Sequence, residues 1–111
     1  MEFNGAPASL GKILVFPNGF NSNATLSTNT WYNLVMVSTG SQILLYINGN
    51  LDISVNTNGP AFTANGIGIG ADSQGGTPFA GKIAEARVYN KALTSAEVQQ
   101  NFNALRGRFG I

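Results

Sequence analysis

The sequence contains neither cysteine nor histidine among its 111 residues. Without cysteine, the chain has no disulfide framework and no thiolate nucleophile. Without histidine, it lacks the commonest general base and the commonest transition-metal ligand. Together these absences exclude the usual nucleophile–base pairs of covalent catalysis. They favour a binding or structural protein over an enzyme.

Charge is also scarce, because Asp, Glu, Lys and Arg make up only 10% of the chain, against about 25% in an average soluble domain. The net charge is +1 and the basic residues form no stripe. This pattern argues against nucleic acid as a partner, because such binding depends on neutralising phosphates.

Long apolar runs are missing too. The longest are residues 34–37 and 43–47, far short of the ~18 apolar residues that a membrane-spanning helix needs. We therefore expect no membrane insertion. No charged region followed by an apolar stretch opens the chain, so no signal peptide is visible. The residues alone leave the cellular compartment open.

The five acidic residues lie far apart along the chain. Glycoside hydrolysis needs two carboxyl groups that face one bond. Glu97 is interpreted as a helix cap, and Glu85 as a structural partner for Arg87 or Lys82. We predict that the chain is not an enzyme, and the alternative is a hydrolytic pair drawn from Asp52, Asp72 and Glu85.

Asn, Gly, Ser and Thr replace charge in this sequence, which has 14 glycines and is 43% hydrophobic. These residues form turns and neutral hydrogen bonds. The composition predicts an all-β domain of short strands joined by tight loops. The length predicts one domain over residues 1–111.

The clearest local pattern is a three-stranded meander. Residues 31–38 form a strand with two apolar faces, which predicts a position covered on both sides. Residues 42–47 form the next strand, and Asn48-Gly49 predicts a type I′ turn. Residues 50–55 return with alternating polarity. The apolar side of this last strand consists of Leu51, Ile53 and Val55.

The flanking regions predict further elements. Residues 12–16 form an apolar strand that ends at a Pro-Asn-Gly turn. Residues 67–70 alternate isoleucine with glycine, and residues 79–89 predict a long strand. Residues 94–97 fit a capping box, with Thr94 as N-cap and Glu97 at N3. An apolar helical stripe follows, and Gly107 is the expected helix stop.

Five stretches resemble, in order, the motifs of one superfamily. They are residues 31–37, 45–49, 67–70, 79–90 and 92–98. The chain resembles the concanavalin A-like lectin/glucanase superfamily in its laminin-G-like jelly-roll form, over roughly residues 25–111. The ending, residues 100–111, is also similar to the C-termini of phage structural proteins that carry such domains.

The resemblance implies an antiparallel jelly-roll sandwich with one short C-terminal helix. The chain departs from a full domain of this kind, because only its C-terminal half is recognisable. We therefore expect a domain truncated on its N-terminal side, and a homodimer or higher homo-oligomer that completes the sandwich. The resemblance also favours an extracellular or virion location.

The resemblance implies a lectin-like, carbohydrate-binding or adhesion module without catalysis, and the alternative is a structural protein such as a phage virion or tail component. The candidate ligand-binding residues are Asp72, Ser73, Gln74, Asn48, Asn50 and Phe62. The last of these is an aromatic residue in a polar loop, whereas Trp31 and Phe79 take core positions in the family.

Calcium is a minor expectation, and no other cofactor is expected. Calcium needs several oxygen ligands, and Asp72 in its Gly-rich loop is the single candidate. Ala84 stands where the family often has an aspartate, which makes a calcium site less favoured. The expected ligand, if the first function holds, is a glycan.

Overall fold

A computed structural model of the chain describes residues 2–4, 11–15, 20–57, 68–71, 75–76 and 78–111. The first sheet contains β1 (Glu2–Asn4), β2 (Lys12–Val15) and β3 (Phe20–Asn21), all antiparallel. The second contains β4 (Leu34–Ser38), β5 (Gln42–Ile47) and β6 (Asn50–Asn56), also antiparallel. Within these residues, the helix α1 (Ser95–Phe109) follows the two sheets.

The second sheet is covered on both faces, as its apolar pattern predicted. On one face, Leu45 is fully buried beside Ile13 of the first sheet. On the other, Val37 and Tyr46 pack against Val98 of α1. The molecule is therefore a partial sandwich of two antiparallel sheets, and the helix forms a third layer. This confirms the all-β jelly-roll class with one short C-terminal helix.

The turn of the meander is also confirmed. Asn48 and Gly49 both have positive φ, at 50° and 79°, as a type I′ turn requires. Gly49 is buried against α1. A Cβ placed on it would lie 2.8 Å from a ring carbon of Phe102. Glycine at this position therefore allows the helix to pack on the hairpin.

The apolar side of β6 differs from the prediction. The register shifts between Leu45 and Tyr46, because Leu45 pairs with Ile53 whereas Tyr46 pairs with Leu51. This bulge leaves Asp52 as an extra residue and moves Leu51 to the other side of the strand. Leu51 is consequently 53% exposed, whereas Val55 stays in the core.

The helix begins as predicted. The Thr94 hydroxyl accepts from the Glu97 N–H, and the Glu97 carboxylate accepts from the Thr94 N–H, so the capping box is complete. The prediction that Gly107 ends the helix is wrong. Gly107 lies inside α1, and Gly110 is the left-handed cap, at φ 69°. The helix is therefore almost one turn longer than predicted and includes Phe109.

The strands predicted for residues 79–89 and 67–70 are not formed. Residues 78–94 contain neither strand nor helix, and residues 68–70 lie outside any strand, whereas residue 67 falls outside the described residues. Alternating polarity describes a chain suited to a sheet, but a strand forms only where a neighbour supplies hydrogen bonds. Within the described part of the chain, no helix is long and apolar enough to cross a membrane.

Candidate binding groove

The predicted site residues fall into two groups. Asp72, Ser73, Gln74 and Phe62 lie outside the described residues, so the loop site and the calcium site at Asp72 stay predictions. Asn48 and Asn50 are described. The Asn48 Oδ1 accepts from the Asn33 N–H at 2.9 Å, and the Asn50 Nδ2 donates to the Asn48 carbonyl at 3.3 Å. Both amides therefore support the turn that joins β5 to β6.

Asp52 has a structural role that the sequence did not reveal. Its two carboxylate oxygens accept from the N–H groups of Asn23 and Ala24, at 2.7 and 2.9 Å. The Asn23 side chain donates to the Asp52 carbonyl at 2.7 Å. The β6 bulge thus holds the loop that follows β3. A contact between residues 28–29 positions apart leaves no local signal in the sequence.

The other described carboxylates are also engaged. Glu85 forms an ion pair with Arg87, as predicted, and Glu97 pairs with Lys91 at 2.7 Å besides capping α1. The contacts that Glu97 makes with Lys91 and Thr94 lower its pKa, and the hydrogen bond from Lys91 has the largest effect. Across the described ranges, no group of three His, Cys, Asp or Glu side chains could hold a metal ion.

The described residues form an open groove of about 2240 Å³. One wall is β4 with the residues before it, and the other is residues 78–93, named here the groove segment. Helix α1 closes one end. Among the described residues, the groove contains most of the large apolar side chains that are exposed. They are Trp31, Ile69, Phe79, Ile83, Val88 and Tyr89.

Trp31 and Phe79 were predicted to be core residues, and this prediction is wrong for the chain alone. Trp31 is 39% exposed and Phe79 is 43% exposed. The Trp31 ring rests against Phe109 of α1, with ring centroids 5.5 Å apart and planes tilted by 49°. A core position needs a covering layer on its outer side, whereas more than a third of each of these residues stays accessible.

Strand β4 forms one edge of its sheet, since the strand order is β4-β5-β6. Backbone bonds join Asn48 to Asn33 and Thr39 to Gln42. Antiparallel pairs alternate between bonded and non-bonded positions, so the backbone groups of Leu34, Met36 and Ser38 point away from β5. Among the described residues, no strand pairs with this edge.

The groove segment has two distinct sides. Glu85 pairs with Arg87, whose pKa is raised mainly by a hydrogen bond with Tyr89 and then by Glu85. Side chains two positions apart meet in an extended chain and not in a helix. Residues 85, 87 and 89 therefore share one side. The opposite side carries Ala84, Ala86 and Val88, and Val88 is 68% exposed.

One further polar atom belongs to the groove. The backbone N–H of Asn33 donates to Asn48 Oδ1. The side-chain Oδ1 of Asn33 is buried and has no hydrogen-bond partner among the described residues. Buried polar atoms without partners are uncommon in native proteins.

Comparison with known proteins places this architecture among lectin-like sandwich modules. The Laminin_G_3 family model, described as the concanavalin A-like lectin/glucanases superfamily, matches residues 12–99. The chain therefore belongs to the concanavalin A-like lectin/glucanase superfamily. This membership fits a lectin-like, adhesion or structural module, and the superfamily name covers lectins as well as glucanases.

A solved structure shows the same fold. The chain is similar to residues 221–444 of an S-layer domain-containing protein from Clostridium thermocellum, with 21% identity and a TM-score of 0.59. The alignment covers 75% of this chain and 44% of that one, so this chain spans less than half of the solved structure. A search of curated proteins gives no significant match.

Proposed function

We propose that this chain is a non-catalytic adhesion and assembly module that binds a polypeptide partner in its groove. One observation carries the proposal: an apolar groove runs along a sheet edge whose backbone groups have no strand partner in the described chain. An extended polypeptide supplies what such a site lacks, because it bonds to the edge and fills the groove with alternate side chains.

The non-catalytic part of the proposal rests on the carboxylates. Asp52 holds a loop, Glu85 pairs with Arg87, and Glu97 caps a helix. A carboxylate that is fixed by such contacts is poorly placed to act as an acid or a nucleophile in glycoside hydrolysis. The S-layer domain-containing neighbour, although it supports only the fold, is consistent with an assembly role.

The proposal is tested with extended peptides and with glycans. Trp31 is the only tryptophan and lines the groove, so its fluorescence reports occupancy. Peptides of about six residues that alternate valine with threonine have the length of an ordinary strand. We expect these peptides to shift the Trp31 emission, and a panel of glycans to leave it unchanged.

Two phenylalanines supply a matched pair of variants. Phe79 lines the groove, whereas Phe20 in β3 does not, and their exposures are 43% and 45%. Phe79→Glu should weaken peptide binding by about tenfold or more, and Phe20→Glu should not change it. Equal effects of the two substitutions, or no emission shift with any peptide in a monomeric sample, would contradict the proposed groove. Release of reducing sugar from a glycan would show that the chain is catalytic.

Carbohydrate binding is the second candidate, and the surroundings of Trp31 favour it. Its partly exposed ring lies in a concave surface that Asn29, Thr30 and Asn33 also line. Apolar rings with a few neutral hydrogen-bonding groups are typical of small-molecule sites. A glycan that shifts the Trp31 emission would support this candidate, and repeating the titration with calcium would test the site predicted at Asp72.

A further inference from the structure

The two edges of the β4-β5-β6 sheet are protected very differently. Natural sheets protect exposed edges with bulges, charged residues, proline or a covering loop. The β6 edge has a bulge, the charged Asp52, and the loop at Asn23 that Asp52 holds. Strand β4 reads Leu-Val-Met-Val-Ser and has no bulge, charge or proline. The β4 edge therefore has none of these protective features and can accept a further strand.

The groove segment has the features of a strand that lacks a neighbouring strand among the described residues. Residues 85, 87 and 89 are linked to each other on one side, whereas Ala84, Ala86 and Val88 occupy the other. A strand of six residues extends about 20 Å. Strand β4 has five residues, so residues 84–89 can cover all three of its outward-facing positions.

The surface area of the chain is large for its mass. The accessible surface is 7376 Å², whereas a folded monomer of 11.6 kDa exposes roughly 5800 Å². The difference is about 1600 Å², and a standard interface removes about 800 Å² from each partner. One interface of obligate size would account for the difference.

We propose that the occupant of the groove is a second copy of this chain, whose residues 84–89 add to the edge of β4. In the described part of each copy, both the β4 edge and residues 84–89 lack a strand partner, so the contact is made twice about a two-fold axis. Low charge favours such self-association, because copies with a net charge of +1 repel each other little. This inference rests on the proposed function, since it names the polypeptide partner of the same groove.

Two serines test the pairing at β4. The Ser38 N–H points to the β4 edge, and the bond from Thr57 to Ser41 places the Ser54 N–H at the opposite edge of the sheet. Proline removes the N–H and is tolerated on edge strands. Sedimentation at micromolar concentration should show a dimer for the wild type and for Ser54→Pro. Ser38→Pro should raise the dissociation constant by about tenfold or more.

A second pair of variants tests the groove segment and keeps the inference testable if Ser38→Pro does not fold. Val88→Glu changes the segment, and Leu51→Glu changes an exposed aliphatic residue outside the groove. Val88→Glu should weaken the dimer, and Leu51→Glu should not. Circular dichroism checks that each variant is folded.

Several outcomes would overturn the inference. They are a folded wild-type monomer, a dimer that Ser38→Pro leaves intact while folded, a dimer that Ser54→Pro disrupts equally, and a dimer indifferent to Val88→Glu. A monomer whose Trp31 emission still responds to peptides would overturn the second copy as occupant and leave the proposed function standing. A monomer without any peptide response would contradict both.

Discussion

At the scale of single residues, Gly49 and Asp52 join parts of the molecule that lie far apart in the sequence. Gly49 lets the β5–β6 hairpin approach Phe102 of α1, and Asp52 holds the loop after β3 against β6. Each residue also sits at a turn or bulge, so backbone geometry and tertiary contact coincide. Substitution at either position therefore alters more than the local chain.

Gly49→Ala is expected to destabilise the fold through two separate effects. A left-handed backbone costs an alanine about 1–2 kcal/mol, and the new Cβ would lie 2.8 Å from the Phe102 ring and 3.0 Å from the Gln99 amide. Overpacking of this kind costs a further 1–3 kcal/mol, roughly. Urea denaturation measures the total.

Gly40→Ala is the matched control for this substitution. Gly40 also has positive φ, at 91°, but a Cβ there would meet no atom within 4 Å. It should therefore cost only the backbone part, about 1–2 kcal/mol. Equal losses of unfolding free energy in the two variants would show that the hairpin does not pack against α1 in solution.

At the scale of elements, helix α1 depends on its first turn. Glu97 closes the capping box with Thr94 and pairs with Lys91, and the Lys91 hydrogen bond lowers the pKa of its carboxyl. A lowered pKa in the folded state means that the charged form stabilises the fold. This contribution is fully present above the ordinary glutamate value of about 4.5 and is lost as pH falls through the lower folded value.

Glu97→Gln isolates this effect, because glutamine can still accept from the Thr94 N–H but carries no charge. The melting temperature of the wild type should exceed that of Glu97→Gln at neutral pH. The difference should shrink as the pH falls below about 4.5. A difference that does not change with pH would contradict the stabilising role of the Glu97 charge.

The elements also show what the sequence can and cannot predict. The type I′ turn at Asn48-Gly49 and the capping box at Thr94 were predicted, because each depends on residues close together in the chain. The bulge at Asp52 was missed, since its carboxylate acts on a loop 28–29 residues away. The predicted strand at residues 79–89 failed because alternation describes a side-chain pattern and supplies no pairing neighbour.

The groove was only partly foreseeable for the same reason. The two apolar faces of residues 31–38 predicted that β4 is covered above and below, which the two core clusters confirm. They carry no information on its lateral neighbour, because hydrogen bonding along a sheet is made by backbone groups that all residues share. Trp31 and Phe79 line the groove beside that edge and are partly exposed.

At the scale of the whole molecule, the proposed dimer makes stability depend on concentration. Association favours the folded form by mass action, so the melting temperature of an obligate dimer rises with protein concentration. We expect this rise for the wild type and for Ser54→Pro, and a smaller rise for Ser38→Pro. Differential scanning calorimetry over a wide range of protein concentrations measures it. A melting temperature that does not change with concentration in the wild type would contradict the dimer.

The unequal protection of the two sheet edges has a consequence for stoichiometry. The edge that can accept a strand is used up once residues 84–89 of another copy occupy it, and the β6 edge is blocked by its bulge and by the loop at Asn23. Growth of the sheet therefore terminates after one addition on each copy. An open edge without this asymmetry would nucleate fibrils at high concentration, whereas this chain has the geometry of a self-limiting particle.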